Sequence, residues 1–181
     1  TTYGPINTWD VSQVTNMSSL FKETEFNDDI GWWDVSNVTD MTSMFQGATV
    51  FNQDLGDWVT KNVTDMTSMF QGATAFNQDL GDWDTSSVTT MQEMFNTATN
   101  FNQNLNSWTL NADVNVNVDN MFTGATSAVY PNTPKKTSNK LGHTFTNVQL
   151  SNAITGWISN SSVATGTYGH INTWDVSQVT N

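Results

Sequence analysis

Three aspartates, Asp29, Asp54 and Asp79, recur at 25-residue intervals, and Asn104 takes the next place in the series. Asp57 and Asp82 form a second acidic register three residues further along. Carboxylates stacked in rows are hard oxygen donors, so two rows on one edge could hold a line of calcium ions. The competing use is local: like charges at strand spacing repel unless a cation or turn amides compensate them. Neither a D-x-D-x-D-G loop nor a glycine-rich nonapeptide accompanies these acids. Asn27, Asn52, Asn77 and Asn102 keep the same period and predict a structural amide ladder, each side chain meeting its neighbour's donors and acceptors. Asn16, Asn37, Asn62 and Asn160 head N-x-S/T sequons, which read as N-glycosylation sites in a eukaryotic secreted protein or as helix-capping residues otherwise.

Aromatic residues supply the other recognisable chemistry. Trp9, Trp33, Trp58, Trp83 and Trp108 form a column that would stack sugar rings if exposed and fill a core if buried; a fixed repeat position favours the core. Trp32 stands where Asp57 and Asp82 stand in later units, so it is expected to point outward. With Tyr3 it is a candidate ligand contact. Thr15, Thr39, Thr64 and Thr89 form a hydroxyl row that raises ice or mineral binding as a third use. Catalysis has no comparable pattern. His143 and His170 lie outside the regular array, and no nucleophile–base pairing, G-x-S-x-G, H-E-x-x-H or phosphate-cradling glycine loop appears. The chain reads as a non-enzyme.

The elements that position these residues come from a repeat of about 25 residues. Units fall near 7–25, 26–50, 51–75, 76–100 and 101–126, the last stretched by two residues before Met121 and Phe122. Residues 167–181 copy 2–16 with one difference, an offset of 165, and read as the start of the next copy of a longer tandem protein, the alternative being an internal duplication within a short one. Between them, 127–166 loses the period and carries Pro131, Pro134, Lys135, Lys136 and Lys140. Its Phe145, Val148, Leu150, Ile154 and Trp157 predict a packed junction rather than a free linker.

Within the unit 51–75, Val63, Met66, Met69, Phe70 and Ala73 have the spacing of one face of a short helix. Asn62 or Thr64 would cap it, Asp65 would sit at its positive end, and Gly72 would stop it. Leu55 and Trp58 flank a short extended segment. The expected fold class is therefore α/β, a solenoid of 25-residue repeats, each an extended segment plus a short helix, leucine-rich-repeat-like in plan. A single such unit cannot bury its apolar face, whereas stacked units can.

The string FNQDLGDWDTSSVTTMQEMF and its 25-residue periodicity resemble the BspA-like leucine-rich-repeat surface proteins, including the DUF285 form of mycoplasma lipoproteins. The resemblance covers 7–126 and resumes over 172–181; leucines are few, so horseshoe geometry does not follow in detail. It implies an extracellular or cell-surface protein linked to adhesion, without enzymatic activity. Composition is compatible with that. Seventeen acidic residues against five lysines give a net charge of −12, which excludes a phosphate-binding surface for nucleic acid and disfavours an anionic membrane face. Without cysteine there is no disulfide or thiolate site. No apolar run reaches a membrane span. The expected role is an adhesive or structural rod or filament module whose partners are its own neighbouring copies, head to tail. The alternative is a binding module for a glycan or a surface protein.

Overall fold

The structure is a computed structural model and describes residues 4–111 and 114–128. Tyr3, Asn160, both histidines and the restart at 167–181 lie outside the described residues, as does the junction beyond 128.

The expected α/β fold is not what the chain adopts. Among the described residues there is no α-helix and no sheet. One 3₁₀ turn (Ile6–Thr8) is the only helical element. Regular pairing is limited to isolated parallel bridges linking Asn16, Asp40, Asp65, Thr90 and Asn117 in succession. Everything else is turn and coil. The segment read as a helix is a run of overlapping turns in which alternate amides point in different directions. In the second unit, Met44, Gln46 and Ala48 donate three residues back, to Met41, Ser43 and Phe45. The intervening amides of Met41, Ser43, Phe45 and Gly47 donate instead to Asp65, Thr67, Met69 and Gln71 of the following unit.

Spacing explains why turns replace helices. Equivalent rings of successive units sit close together: Phe45 and Phe70 have centroids 5.4 Å apart, and Phe70 and Phe95 5.6 Å apart. Packed helix axes need about 8–10 Å. A helix at this position would pry the units apart and cut every cross-unit bond; it would also spend internally the amides that join one unit to the next. The inward pattern survives the change of element, since Val63, Met66, Met69, Phe70 and Ala73 are all fully buried.

The turns need left-handed backbone at two places per unit. Ser19, Ser43, Ser68, Glu93 and Asn120 occupy the first, with φ between 54° and 59°, and Glu23, Gly47, Gly72, Thr97 and Gly124 the second, with φ of 56° to 74°. Positive φ at the third residue of a turn is the type II geometry. Side chains adopt it at the first place throughout and at Glu23 and Thr97 in the second, at a cost of about 1–2 kcal/mol by steric argument, offset by the cross-unit bond from the same residue.

The interior is an aromatic and aliphatic column set. Phe51, Phe76 and Phe101 stack at 5.9 and 6.0 Å, and each nearly touches the Phe45 series, with 4.0 Å between Phe70 and Phe76. Trp58, Trp83 and Trp108 stack at 6.3 and 6.4 Å with ring planes within 6°. Trp33, Trp58, Trp83 and Trp108 are buried, and their Nε1 atoms donate to the carbonyls of Ile6, Ile30, Leu55 and Leu80 of the preceding unit. The two-residue stretch in the fifth unit is absorbed between Trp108, still 25 residues after Trp83, and Asn117, which bridges to Thr90.

Removing one ring from this interior is expected to be costly. Phe70→Ala should lower unfolding free energy by about 3–5 kcal/mol, measured by urea denaturation, whereas Trp32→Ala at the surface should change it by under about 0.5 kcal/mol. Equal effects would contradict the packing described.

Candidate functional site

The acidic residues of the repeat act mainly as turn acceptors. Oδ1 of Asp29, Asp54 and Asp79 accepts from the amides of Gly31, Gly56 and Gly81 at 2.8–2.9 Å, and Asn104 does the same for Asn106 at 3.0 Å. A side-chain oxygen accepting from the amide two residues on is an Asx turn, for which Asp and Asn serve equally. A second row, Asp10, Asp34 and Asp84, holds Ser12, Ser36 and Ser86 at 3.0 Å. A third comprises Asn16, Asp40, Asp65 and Asn117, holding Ser18, Thr42, Thr67 and Asp119. Sequence reasoning singled out only the first row; the D-x-S and D-x-T spacings were the available signal for the others.

Glycine follows the first row because the next unit passes directly above it. A Cβ on Gly31 would lie 2.6 Å from the carbonyl oxygen of Asp54. Asp57 and Asp82 project to solvent. Among the described residues, no group of three His, Asp or Glu side chains converges to hold a metal. In the Asp29 row, one oxygen of each carboxylate is taken up by a turn amide of its own unit.

Electrostatics of the second row follow from its geometry. The Ser12 hydroxyl, then the Ser12 amide, hold the Asp10 carboxyl below the ordinary 3.8. Ser36 does the same for Asp34, opposed in part by the negative charge of Asp10. Asp84 is lowered by Ser86, with a small contribution from Lys61. Hydrogen bonds to the ionised form favour ionisation.

The asparagine series is a ladder of a different kind from the one expected. Oδ1 of Asn27, Asn52 and Asn77 accepts the backbone amide of the next asparagine, Asn52, Asn77 and Asn102, at 2.9 Å each. It also receives Nε2 of Gln53, Gln78 and Gln103 at 2.8–3.2 Å. The partners are thus the next asparagine's backbone and a glutamine side chain rather than one asparagine side chain on another. The sequon asparagines are tied into the stack as well: Nδ2 of Asn37 and Asn62 donates to the carbonyls of Ser12 and Ser36, and Nδ2 of Asn16 to Asp40. The hydroxyls of Thr39, Thr64 and Thr89 donate to the carbonyls of Thr15, Thr39 and Thr64, beside the amide bonds of the same residues.

Among the described residues, exposed large apolar side chains include Trp9, which departs from the buried Trp column, together with Trp32 and Val59. Trp32 is 63% exposed and Val59 50%. Val59 occupies the place of Asp34 and Asp84, as Trp32 occupies that of Asp57 and Asp82. A shallow groove of about 310 Å³ is bordered by Pro5, Ile6, Asn7, Asp28 and Asp29; it is open to solvent and brings together no acid–base pair.

Stacked units joined by side-chain and main-chain ladders define a repeat protein. The particular family is given by sequence: a family model described as DUF285, Mycoplasma protein of unknown function, matches residues 1–108 and, in an overlapping second match, 56–157. The chain belongs to that family. The match continues beyond 126, so the family pattern reaches into the stretch read as a junction. No curated protein and no solved structure matches the chain. Among the described residues no helix is long and apolar enough to cross a membrane.

Two outcomes follow for the acids. Asp54→Asn should leave stability nearly unchanged because Asn104 shows the amide doing the same task, whereas Asp54→Ala should lose about 1 kcal/mol by thermal or urea unfolding; equal losses would mean that the charge itself matters. For the second row the folded carboxyls titrate below 3.8. Their contribution is therefore complete above that pH and lost as pH falls through their lowered values. Ser36→Ala should raise the pKa of Asp34 toward 3.8 while leaving Asp84 unmoved, as read by carboxyl-carbon NMR titration.

Proposed function

We propose that this chain is a non-enzymatic structural repeat module of a cell-surface or secreted assembly, of the general kind represented by BspA-like surface proteins. The observation that carries the reading is where the recurring side chains go. Apart from the solvent-facing Asp57, Asp82, Trp9 and Trp32, the recurring Asn27, Thr39, Trp33 and Asp29 series are engaged in holding a unit to itself or to the next. None is left poised as a nucleophile, base or ligand cage. A surface of net charge −12 suits a soluble exterior.

A second reading, recognition of a glycan or a protein, is favoured by one observation, the 63% exposure of Trp32 amid hydrogen-bonded polar rows. Exposed aromatic faces are used to stack on sugar rings and to anchor partners. Ice or mineral binding rests on the Thr15, Thr39, Thr64 and Thr89 periodicity alone, and the last three hydroxyls of that row already donate to carbonyls.

The test is immunogold labelling of intact native cells and their shed material with antibody against this chain, together with protease shaving. Label on the exterior, in rows or filaments and removable by protease, is the expected result. Label confined to the cell interior would overturn the proposal. Binding of the purified chain to a glycan array or to cells, lost in Trp32→Ala, would move the reading to recognition.

A further inference from the structure

The cross-unit bonds of the turn segment share one direction. Met17, Ser19, Phe21 and Glu23 donate to Asp40, Thr42, Met44 and Gln46 at 2.7–2.9 Å. The amides of the next residues, Met41, Ser43, Phe45 and Gly47, donate onward in turn, and the pattern repeats through Met66 and Met91 to the fifth unit. Each of these peptide groups receives at its carbonyl from the unit before and gives at its amide to the unit after. Four columns of aligned peptide dipoles therefore run through the stack. A parallel β-sheet, in which amides alternate between both neighbours, has no such polarity.

The two outer edges are complementary as a result. At the first unit, the carbonyls of Asn16, Ser18, Leu20 and Lys22 receive no hydrogen bond among the described residues. At the fifth, the amides of Val118, Asn120, Phe122 and Gly124 find no acceptor among them. Within the described residues, four acceptors lie unbonded along one edge of the stack and four donors along the other, in matching register. Apolar columns are open at the acceptor end too. Leu20 is 49% exposed, while its counterparts Met44, Met69 and Met94 in the following units are fully buried.

We propose that the carbonyl edge at Asn16, Ser18, Leu20 and Lys22 is a docking edge for a second copy of this chain, which presents its amide edge at Val118, Asn120, Phe122 and Gly124. The bond set is the one that already joins each unit to the next, so the contact continues an interface the chain makes four times internally. Along these four columns dipole alignment sets the polarity as head to tail, because there like edges would place acceptors against acceptors or donors against donors. Such a contact is heterologous and does not close on itself, so it propagates as a linear array. The inference rests on the structural reading above and supplies its partner.

The chain has no cysteine, so single engineered thiols report the contact cleanly. Full-length Ser18→Cys and Asn120→Cys proteins, mixed under mild oxidation, should give mainly the mixed 18-to-120 disulfide over either symmetric dimer. Leu20→Lys in the Ser18→Cys protein should reduce that product at least tenfold without moving the thermal midpoint, since Leu20 is exposed. Statistical mixtures of all three dimers, or a chain that stays monomeric and uncrosslinked up to millimolar concentration, would overturn the pairing. The latter includes the case in which the chain's own later residues cover the amide edge. Exterior labelling without the cross-link would sink this contact alone; the cross-link with interior labelling would sink the surface role alone.

Discussion

The spacing of successive units governs nearly everything else in this molecule. It is set by main-chain hydrogen bonds of 2.7–3.0 Å between equivalent turns, four per junction. Once the backbone is held at that pitch, any element thicker than a single chain is excluded. The core must then be built from side chains that tolerate a translated copy of themselves a few ångströms away. Flat rings meet that condition by lying face to face along the stack, as Trp83 and Trp108 do with ring planes 1° apart. Methionine meets it through flexibility. Leucine recurs in only one column, Leu55, Leu80 and Leu105 with isoleucine at Ile30, which explains why a leucine-rich plan is a poor description of this interior.

The same pitch explains the acidic composition. A coil that must turn several times within 25 residues leaves amides with no regular ladder to join. Asp and Asn side chains accept those amides at three places per unit. Such turns can be closed by an amide or a hydroxyl as well as by a carboxylate, and the third row shows all three: Asn16, Asp65 and Thr90. Repulsion along a carboxylate row is modest at exposed positions, where water screens it, and is offset by the hydrogen bonds that lower the Asp10, Asp34 and Asp84 carboxyls.

Which side chains face inward was legible in the sequence; the elements carrying them were not. A spacing of 3, 3, 1 and 3 at Val63, Met66, Met69, Phe70 and Ala73 marks a buried stripe. An α-helix and a chain of overlapping three-residue turns bury the same positions, because both advance about one turn per three to four residues. The discriminating signal was the recurrence of Ser43, Ser68 and Glu93 at a place of positive φ, which no propensity scale flags. Exposure of Trp32 follows directly from its standing at an aspartate position. By contrast, the partners of Asn27, Asn52 and Asn77 required the backbone path, since only the register places the next amide, rather than the next side chain, opposite each Oδ1.

Recurrence and function divide the surface between them. A residue that repeats at every unit is explained by the stack: it closes a turn, ties to a carbonyl or fills a column. A residue that departs from its column is not so explained, and two departures on the flank remove a carboxylate and add an exposed apolar group. Val59 forgoes the turn bond that Asp34 and Asp84 make two residues on, and Trp32 puts an indole where Asp57 and Asp82 present charge. Neither change adds to the buried interior, so stability does not account for them. The first described unit carries a third, Leu20, at a place where later units use buried methionine. Recognition, whether of another copy at the edge or of a different molecule on the flank, is therefore best sought where the period fails.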